Sequence, residues 1–444
     1  MKHTATLAAA LAATTLLTVG TADAAPAEGY YGTKTPYAPQ QPLDRYHHAP
    51  KGFTPVFTEN VARHGSRAMT DGKDGDAVLA VLDRAQAAGA LTGLGEQLGP
   101  QVRSLLAAAA GIGYGSLAGL GVQEQQGTAR RLEQRLPELF DSIVAGGEPI
   151  VVETSGVARV VASANAFTGA LTAADPGLTG LVRPPVTDKN LLYFHKQPQN
   201  ADYQAYLADD PELHATLAQI RDQPRTASVA RHVVTRLFCP EFVQTLTPAE
   251  QQAFATALYQ LYGAAPDLRV EAPEVDLGPF LAPVDAKWLQ YLDDAEEFYE
   301  KGPAFSGRTI TYKMANPLLD DLFAQAEAKA AGTSDNGAVL RFTHAEEIEP
   351  LAVLLGLPGS TEPADPAQPY TYANNPWRGA RVAPMAANIQ WDVYAGNAAD
   401  GKAPAYLVRM LYNEKETYFP ASCKPFTKGG YFYELDELKR CFGR

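Results

Sequence analysis

The chain has 444 residues, of which 46% are hydrophobic and 20% charged, with a formal net charge of -13. That length exceeds what one small core organises, so two lobes, or one large α/β domain carrying an insertion, are expected. The acidic balance offers no electrostatic footprint for nucleic acid. Beyond the N-terminal leader no segment holds eighteen uninterrupted apolar residues, which excludes a good membrane span.

Lys2 and His3 precede an apolar stretch over 7–19, followed by Ala22-Asp23-Ala24, small residues of the kind a signal peptidase accepts. Residues 1–24 are therefore expected to be a cleaved signal peptide, and the mature chain a secreted, soluble protein. Three strand-like runs come next, each ending at a polar turn. The run 53–61 leads into Arg63-His64-Gly65, 149–153 stops at Thr154-Ser155-Gly156, and 338–343 stops before His344. Ile348, Leu351, Ala352 and Leu355 then fall at i, i+3, i+4 and i+7, which predicts an amphipathic helix packed on a sheet. In open α/β sheets ligands sit beyond the carboxyl ends of strands, so the three turns are expected to converge.

Between 191 and 305 the pattern turns helical, over 203–220, 229–238 and 248–262. Thr247-Pro248-Ala249-Glu250 reads as a helix start, with a capping threonine and a proline in the first turn. The organisation predicted is an α/β domain from 25–190 and 306–444, interrupted by an α domain over 191–305. Gly111, Gly113 and Gly115 superficially suggest a dinucleotide-binding turn, but no strand immediately precedes them and they read as a loop. The proline-rich stretches 25–50 and 358–376 read as exposed connections.

Three cysteines allow three single pairs. Cys423 and Cys441 share the C-terminal tail of a chain expected to be exported, which favours that pair. Closing the short loop would contribute about 3 kcal/mol in the chain-entropy model. Cys239, before Pro240, reads as a small buried apolar side chain. No Cys/His spacing resembles a zinc site.

Together the polar turns supply each role needed to hydrolyse a phosphate monoester. His64 can attack phosphorus, and the flanking Arg63 and Arg67 carry forked donors that match phosphate oxygens. Gly65 lets the backbone approach closely. Glu346, kept near the same pocket by His344, can protonate the departing alcohol. The net negative charge is a weak objection, because binding depends on the local field, and a basic pocket in an acidic shell is expected. Each residue also has a plainer reading. A carboxylate such as Glu346 is favourable in any first helical turn, and His47, His48, His195, His214 and His232 read as solvated or capping.

Arg63-His64-Gly65-Ser66-Arg67 resembles the RHGxRxP signature of the histidine phosphatases, branch two, and His344-Ala345-Glu346 is similar to the HAE form of multiple inositol polyphosphate phosphatases. Ser155-Gly156-Val157-Ala158-Arg159, with Ser163-Ala164 and Phe167, resembles the segment that delivers a third phosphate-binding arginine, here Arg159. Tyr312-Lys313-Met314, Asn316-Pro317-Leu318-Leu319 and Leu411-Tyr412-Asn413-Glu414 extend the resemblance over most of the mature chain. The signature proline is Met69 here, which removes a stiffening ring but no catalytic group.

The resemblance implies a phosphoglycerate-mutase-like α/β domain with an inserted, mainly α-helical domain. It also implies no metal or other cofactor, and a covalent phosphohistidine on His64. Arg63, Arg67 and Arg159 would hold the phosphoryl oxygens, and His344 would add a donor when protonated. Glu346 would protonate the leaving oxygen and then deprotonate the attacking water. The implied substrates are inositol hexakisphosphate and lower inositol phosphates, for which Lys189, Lys313, Arg183 and Arg341 would offer charges beyond the clamp. A broad acid phosphatase acting on small phosphomonoesters is the alternative. Retention of His64 and Glu346 argues against a phospholigand-binding protein without turnover. Mildly acidic pH should favour hydrolysis, with Glu346 protonated and His344 charged. No nucleic acid, membrane or obligate protein partner is expected.

Overall fold

A computed structural model describes residues 29–397 and 405–444, so the expected signal peptide lies outside the described residues. The strands are β1 Phe53–Arg63, β2 Ile150–Thr154, β3 Val186–Thr187, β4 Ala338–Thr343, β5 Asn388–Gly396, β6 Tyr406–Tyr412, β7 Lys415–Thr417 and β8 Phe432–Glu434. They form one mixed sheet in the order β3-β2-β4-β1-β5-β6-β7, with β8 paired to β6. β3, β2, β4 and β1 are parallel, while β5 to β8 join in antiparallel fashion. Register aligns the strand ends: Arg63 pairs with Thr343, and Thr154 pairs with Phe342. His64, Ser155 and His344 therefore emerge side by side at one end of the sheet.

Both faces of β4 are covered, as parallel strands require. Leu340 and Phe342 pack on one face with Leu132, Phe140 and Phe167, while Val339 faces Leu322, Ile348 and Leu351 on the other. The helices Ala201–Asp209, Pro211–Arg221, Pro224–Leu237, Pro248–Ala264 and Pro283–Glu300 form a separate helical layer. Lys73–Ala87 and Gly95–Ile112 pack against it, so that layer also draws on residues upstream of β2. Thr247 caps its helix in a reciprocal capping box with Glu250, with Pro248 in the first turn. Cys423 and Cys441 form the disulfide, with Cα atoms 5.2 Å apart, and Cys239 is a half-buried free thiol.

Two expectations change. The stretches read as exposed connections are partly interior: Thr33 is buried near the sheet end, and Ser360 and Tyr370 are fully buried. Each holds polar groups that the core satisfies, as when the Tyr370 amide donates to the Tyr299 hydroxyl at 2.9 Å. The second change concerns Arg341, which is not available to a substrate. Its side chain is 0% exposed and pairs with Glu59 at 2.9 Å, with Glu153 at 3.3 Å and with Asp321. Strand alternation puts it on the face of the sheet covered by the helix Asn316–Ala330, where Asp321 sits, and the three carboxylates hold it there. Arg341→Ala would leave three carboxylates without their shared cation. It should cost about 3–5 kcal/mol of stability, measured by denaturant unfolding, with KM of the folded enzyme unchanged.

Candidate active site

β1 delivers His64 into a backbone cradle. Its amide donates to the Thr343 carbonyl at 2.9 Å, and its carbonyl accepts from the Ala386 amide at 3.0 Å. The ring Nδ1 lies 2.9 Å from the Gly65 carbonyl. A carbonyl only accepts, so Nδ1 carries the hydrogen and the lone pair is on Nε2. Burial first, then Arg63, His344, Arg159 and Arg67, hold the imidazole well below the usual histidine range. His64 is thus neutral, with its nucleophilic nitrogen fixed by a local hydrogen bond.

The flanking residues are fixed as firmly. A Cβ on Gly65 would lie 2.5 Å from the Gly121 carbonyl oxygen, so the close approach that glycine permits is to another backbone turn. Arg63 Nη1 donates to the Thr33 and Ala383 carbonyls, while Arg67 Nη1 donates to the Ala68 carbonyl at 2.9 Å. Both Nε atoms are buried without a protein partner. Ser66 Oγ lies 2.9 Å from Glu124 and 2.8 Å from Asp267. One hydroxyl hydrogen cannot fully serve two carboxylates, so a proton shared among them is favourable. Burial pushes both carboxyls up, Asp267 well above the usual range with the charge of Glu124 adding to it, so Asp267 takes a proton more readily than Glu124.

Arg159 is the second residue of the helix Ala158–Ala174 beyond β2. Ser163, one turn later, accepts from the Gly65 amide at 3.2 Å and donates to the Arg159 carbonyl at 2.9 Å, locking this helix to the His64 turn. Arg159 Nη2 is 3.1 Å from His344 Nδ1, and His344 Nε2 is 2.9 Å from Ser155 Oγ. A guanidinium only donates, so His344 holds its lone pair on Nδ1 and its hydrogen on Nε2. Burial, followed by the charge of Arg159 against the opposing Glu346, pulls His344 down to about 3. The expected charged His344 is therefore not what its protein neighbours produce.

Glu346 lies in the first turn of the helix Ala345–Leu354, within electrostatic reach of Arg67 and Arg159. Burial opposes its ionisation, but Lys301, His195 and His344 outweigh it and hold the carboxyl well below the usual range. The expected protonated Glu346 is likewise not produced by the protein alone. Lys301, missed in the sequence, follows the helix Pro283–Glu300 and pairs with Glu297 at 2.7 Å. No motif marks it. His195, expected to be solvated or capping, is instead 4% exposed and 2.6 Å from the buried Glu347.

The peripheral cations scatter. Lys189 is exposed just beyond the end of β2, where the Asp188 amide donates to the Thr154 carbonyl at 2.9 Å. Lys313 is half-exposed and paired with Asp202. Arg183 is at the wrong end of the sheet, its amide bonded at 2.9 Å to the carbonyl of Ile150, the first residue of β2. The centre itself is compact: a neutral nucleophilic nitrogen, three guanidiniums and a carboxyl suit an anion with an electrophilic centre. Among the described residues no cluster of three His, Cys, Asp or Glu could hold a metal ion.

The family model of the histidine phosphatase superfamily, branch 2, matches residues 57–413. Multiple inositol polyphosphate phosphatase 1 of Gallus gallus is 26% identical over 414 residues, covering 88% of this chain and 86% of that protein. The Homo sapiens protein of the same name is 26% identical over 87% of this chain and 81% of that one. The crystal structure of Bifidobacterium longum multiple inositol polyphosphate phosphatase with inositol hexasulfate matches with a TM-score of 0.86 at 32% identity. That match covers 93% of this chain and 97% of the other. The phytase of D. castellii, 17% identical with a TM-score of 0.65 over 93% of this chain and 84% of that one, shares the fold. By the family match over its core and the polar turns that its sheet brings together, the chain belongs to the histidine phosphatase superfamily, branch 2, and is a phosphoric monoester hydrolase.

Proposed function

We propose that this protein hydrolyses inositol hexakisphosphate and lower inositol polyphosphates through a phosphohistidine on His64. The observation that carries the chemistry is the Nδ1 bond to Gly65, which leaves Nε2 bare among Arg63, Arg67 and Arg159. Nε2 attacks phosphorus in line as the bond to the inositol oxygen breaks, and the three guanidiniums hold the non-bridging oxygens. Glu346 gives its proton to the departing oxygen. In the second step its carboxylate takes a proton from the water that attacks the phosphohistidine, and phosphate leaves.

The charge state of Glu346 is consistent with this order. A phosphate dianion set against Arg67 and Arg159 adds negative charge beside both Glu346 and His344, which raises the affinity of each for a proton. The acid then becomes protonated when substrate arrives. The substrate class is supported by the named relatives and by the inositol hexasulfate complex of the Bifidobacterium longum protein. Lys189 and Lys313 are assigned to outer phosphates in this reading, with Lys313 exchanging Asp202 for substrate. Export after removal of residues 1–24 is part of the same proposal, supported by the leader and by a disulfide suited to an oxidising compartment. A product that stays in the cell with its leader attached would refute it.

Phosphate release from inositol hexakisphosphate, compared with release from a simple aryl phosphate, tests the substrate. A higher kcat/KM on the inositol ester is expected, unchanged by EDTA because no step uses a metal. Preference for the aryl ester would leave a broad-specificity acid phosphatase, and loss of activity on chelation, restored by a divalent ion, would overturn the mechanism.

A further inference from the structure

Ser66, at the position the signature leaves unspecified, has every polar group engaged. Its amide donates to Glu124 Oε2 at 2.7 Å, and its hydroxyl lies 2.9 Å from Glu124 Oε1. Its carbonyl accepts from the Ala118 amide at 2.9 Å. Asp267, from the short turn Ala265–Leu268 of the helical layer, reaches the same hydroxyl at 2.8 Å. Glu124 and Gln125 both lie on the helix Gly119–Arg135, and Gln125 Nε2 donates to the Arg63 carbonyl at 2.8 Å. One helix therefore holds the backbone on both sides of His64, at Arg63 and at Ser66. Its first turn leaves no gap, since a Cβ on Gly121 would lie 2.2 Å from the Ser66 carbonyl oxygen.

Glu124 is buried, and three donors converge on its two oxygens: the Ser66 amide, the Ser66 hydroxyl and the Tyr37 amide, the last at 2.8 Å from Oε1. Tyr37 belongs to the N-terminal segment whose Thr33 carbonyl accepts from Arg63 Nη1. We infer that Glu124 is a positioning residue for phosphoryl transfer, holding Ser66 so that His64 Nε2 and the Arg67 guanidinium keep a fixed separation across the transferred group. The inference rests on the reading of His64 as the nucleophile.

A buried carboxyl that served packing alone would not need to collect its donors from the residue between Gly65 and Arg67. Burying it without them is costly, and each donor left without an acceptor would cost more. What the arrangement fixes is the alignment of attack. His64 carries the attacking nitrogen and Arg67 one of the three guanidiniums, and Ser66 lies between them in the same turn. A displacement of about 1 Å in such a turn can cost about 10²-fold in rate. Ground-state binding depends on it less. Arg63 is fixed by the Thr33 and Ala383 carbonyls, and Arg159 stands on the helix after β2, so the side chains of both are held by groups other than Glu124. Loosening Ser66 should therefore appear in kcat rather than in KM.

The test is alcohol release in a single turnover of inositol hexakisphosphate by the full-length enzyme, read beside KM and the binding of inositol hexasulfate. Glu124→Gln leaves one accepting oxygen for three donors, and the release rate should fall about 10- to 100-fold. KM and inositol hexasulfate affinity should each move by less than about three-fold. Ser66→Ala removes the hydroxyl but keeps the amide bond to Glu124, and should cost about five-fold. The two losses should be non-additive, because both act through one contact. A folded Glu124→Gln protein that releases alcohol at the wild-type rate, with only its unfolding midpoint lowered, would overturn the inference. So would additive losses, or a loss of inositol hexasulfate binding as large as the loss of rate. If Glu124→Gln does not fold, Ser66→Ala decides: a slower release with KM unmoved supports the positioning role, and an unchanged rate removes it. Turnover that survives in His64→Ala defeats the nucleophile reading instead, and that result is independent of either variant.

Discussion

Replacing His64 with alanine is expected to lower turnover by on the order of 10⁴-fold or more while leaving the fold intact. Among the described residues the side chain hydrogen-bonds only to the adjacent Gly65 carbonyl, whereas the amide and carbonyl of His64 tie the turn to Thr343 and Ala386. Alanine keeps both backbone bonds. It also keeps Arg63, Arg67 and Arg159, so binding of a non-hydrolysable inositol hexasulfate should survive, measured by calorimetry. The informative result is the combination of retained binding, a wild-type unfolding midpoint and no burst of alcohol release. A variant that still cleaves phosphomonoesters near the wild-type rate would remove His64 as nucleophile.

Glu346→Gln should separate the acid from the nucleophile. The amide keeps the side-chain shape and leaves His64 and the guanidiniums untouched, but it has no proton to give. General acid catalysis typically contributes 10² to 10⁴-fold, roughly 3 to 5 kcal/mol of barrier. An inositol oxygen is a poor leaving group and should lose most of that factor, whereas an aryl oxide departs without protonation and forgoes little. Pre-steady-state release of the alcohol on both substrates reports the first step alone. Equal losses would leave Glu346 a structural or water-positioning role. The amide also removes the carboxylate that Lys301 and Arg159 face, so a change in substrate binding is expected and must be separated by single-turnover analysis.

Local features are the legible ones. β1, β2 and β4 show as short apolar runs that end at polar residues, and the structure places those residues together because parallel register aligns the strand ends. The capping box at Thr247 and the Cys423–Cys441 pair are equally legible, since each depends on residues close in sequence. β5 is not. Its Asn388, Gln390 and Asp392 alternate with Ile389, Trp391 and Val393, a half-polar pattern that gives no sign of burial on both faces. Asp392 is nevertheless fully buried, because Arg135 and Arg409 reach it from a helix and from the neighbouring strand.

By itself the sequence determined the family and pointed to a candidate nucleophile, clamp and acid, because those are residue types at short, ordered spacings. Only the tertiary structure decided which charges belong to the site and which protons they hold. Arg341 is withdrawn into the core by strand alternation, and His195 is drawn in by Glu347, 152 residues away. Protonation obeys the same rule. Glu346 is held as a carboxylate by Lys301 and His195, and His344 loses its charge to burial and to Arg159. A proton's affinity depends on the dielectric and the charges within a few ångströms, and those neighbours are brought there by the fold rather than by the spacing of residues along the chain.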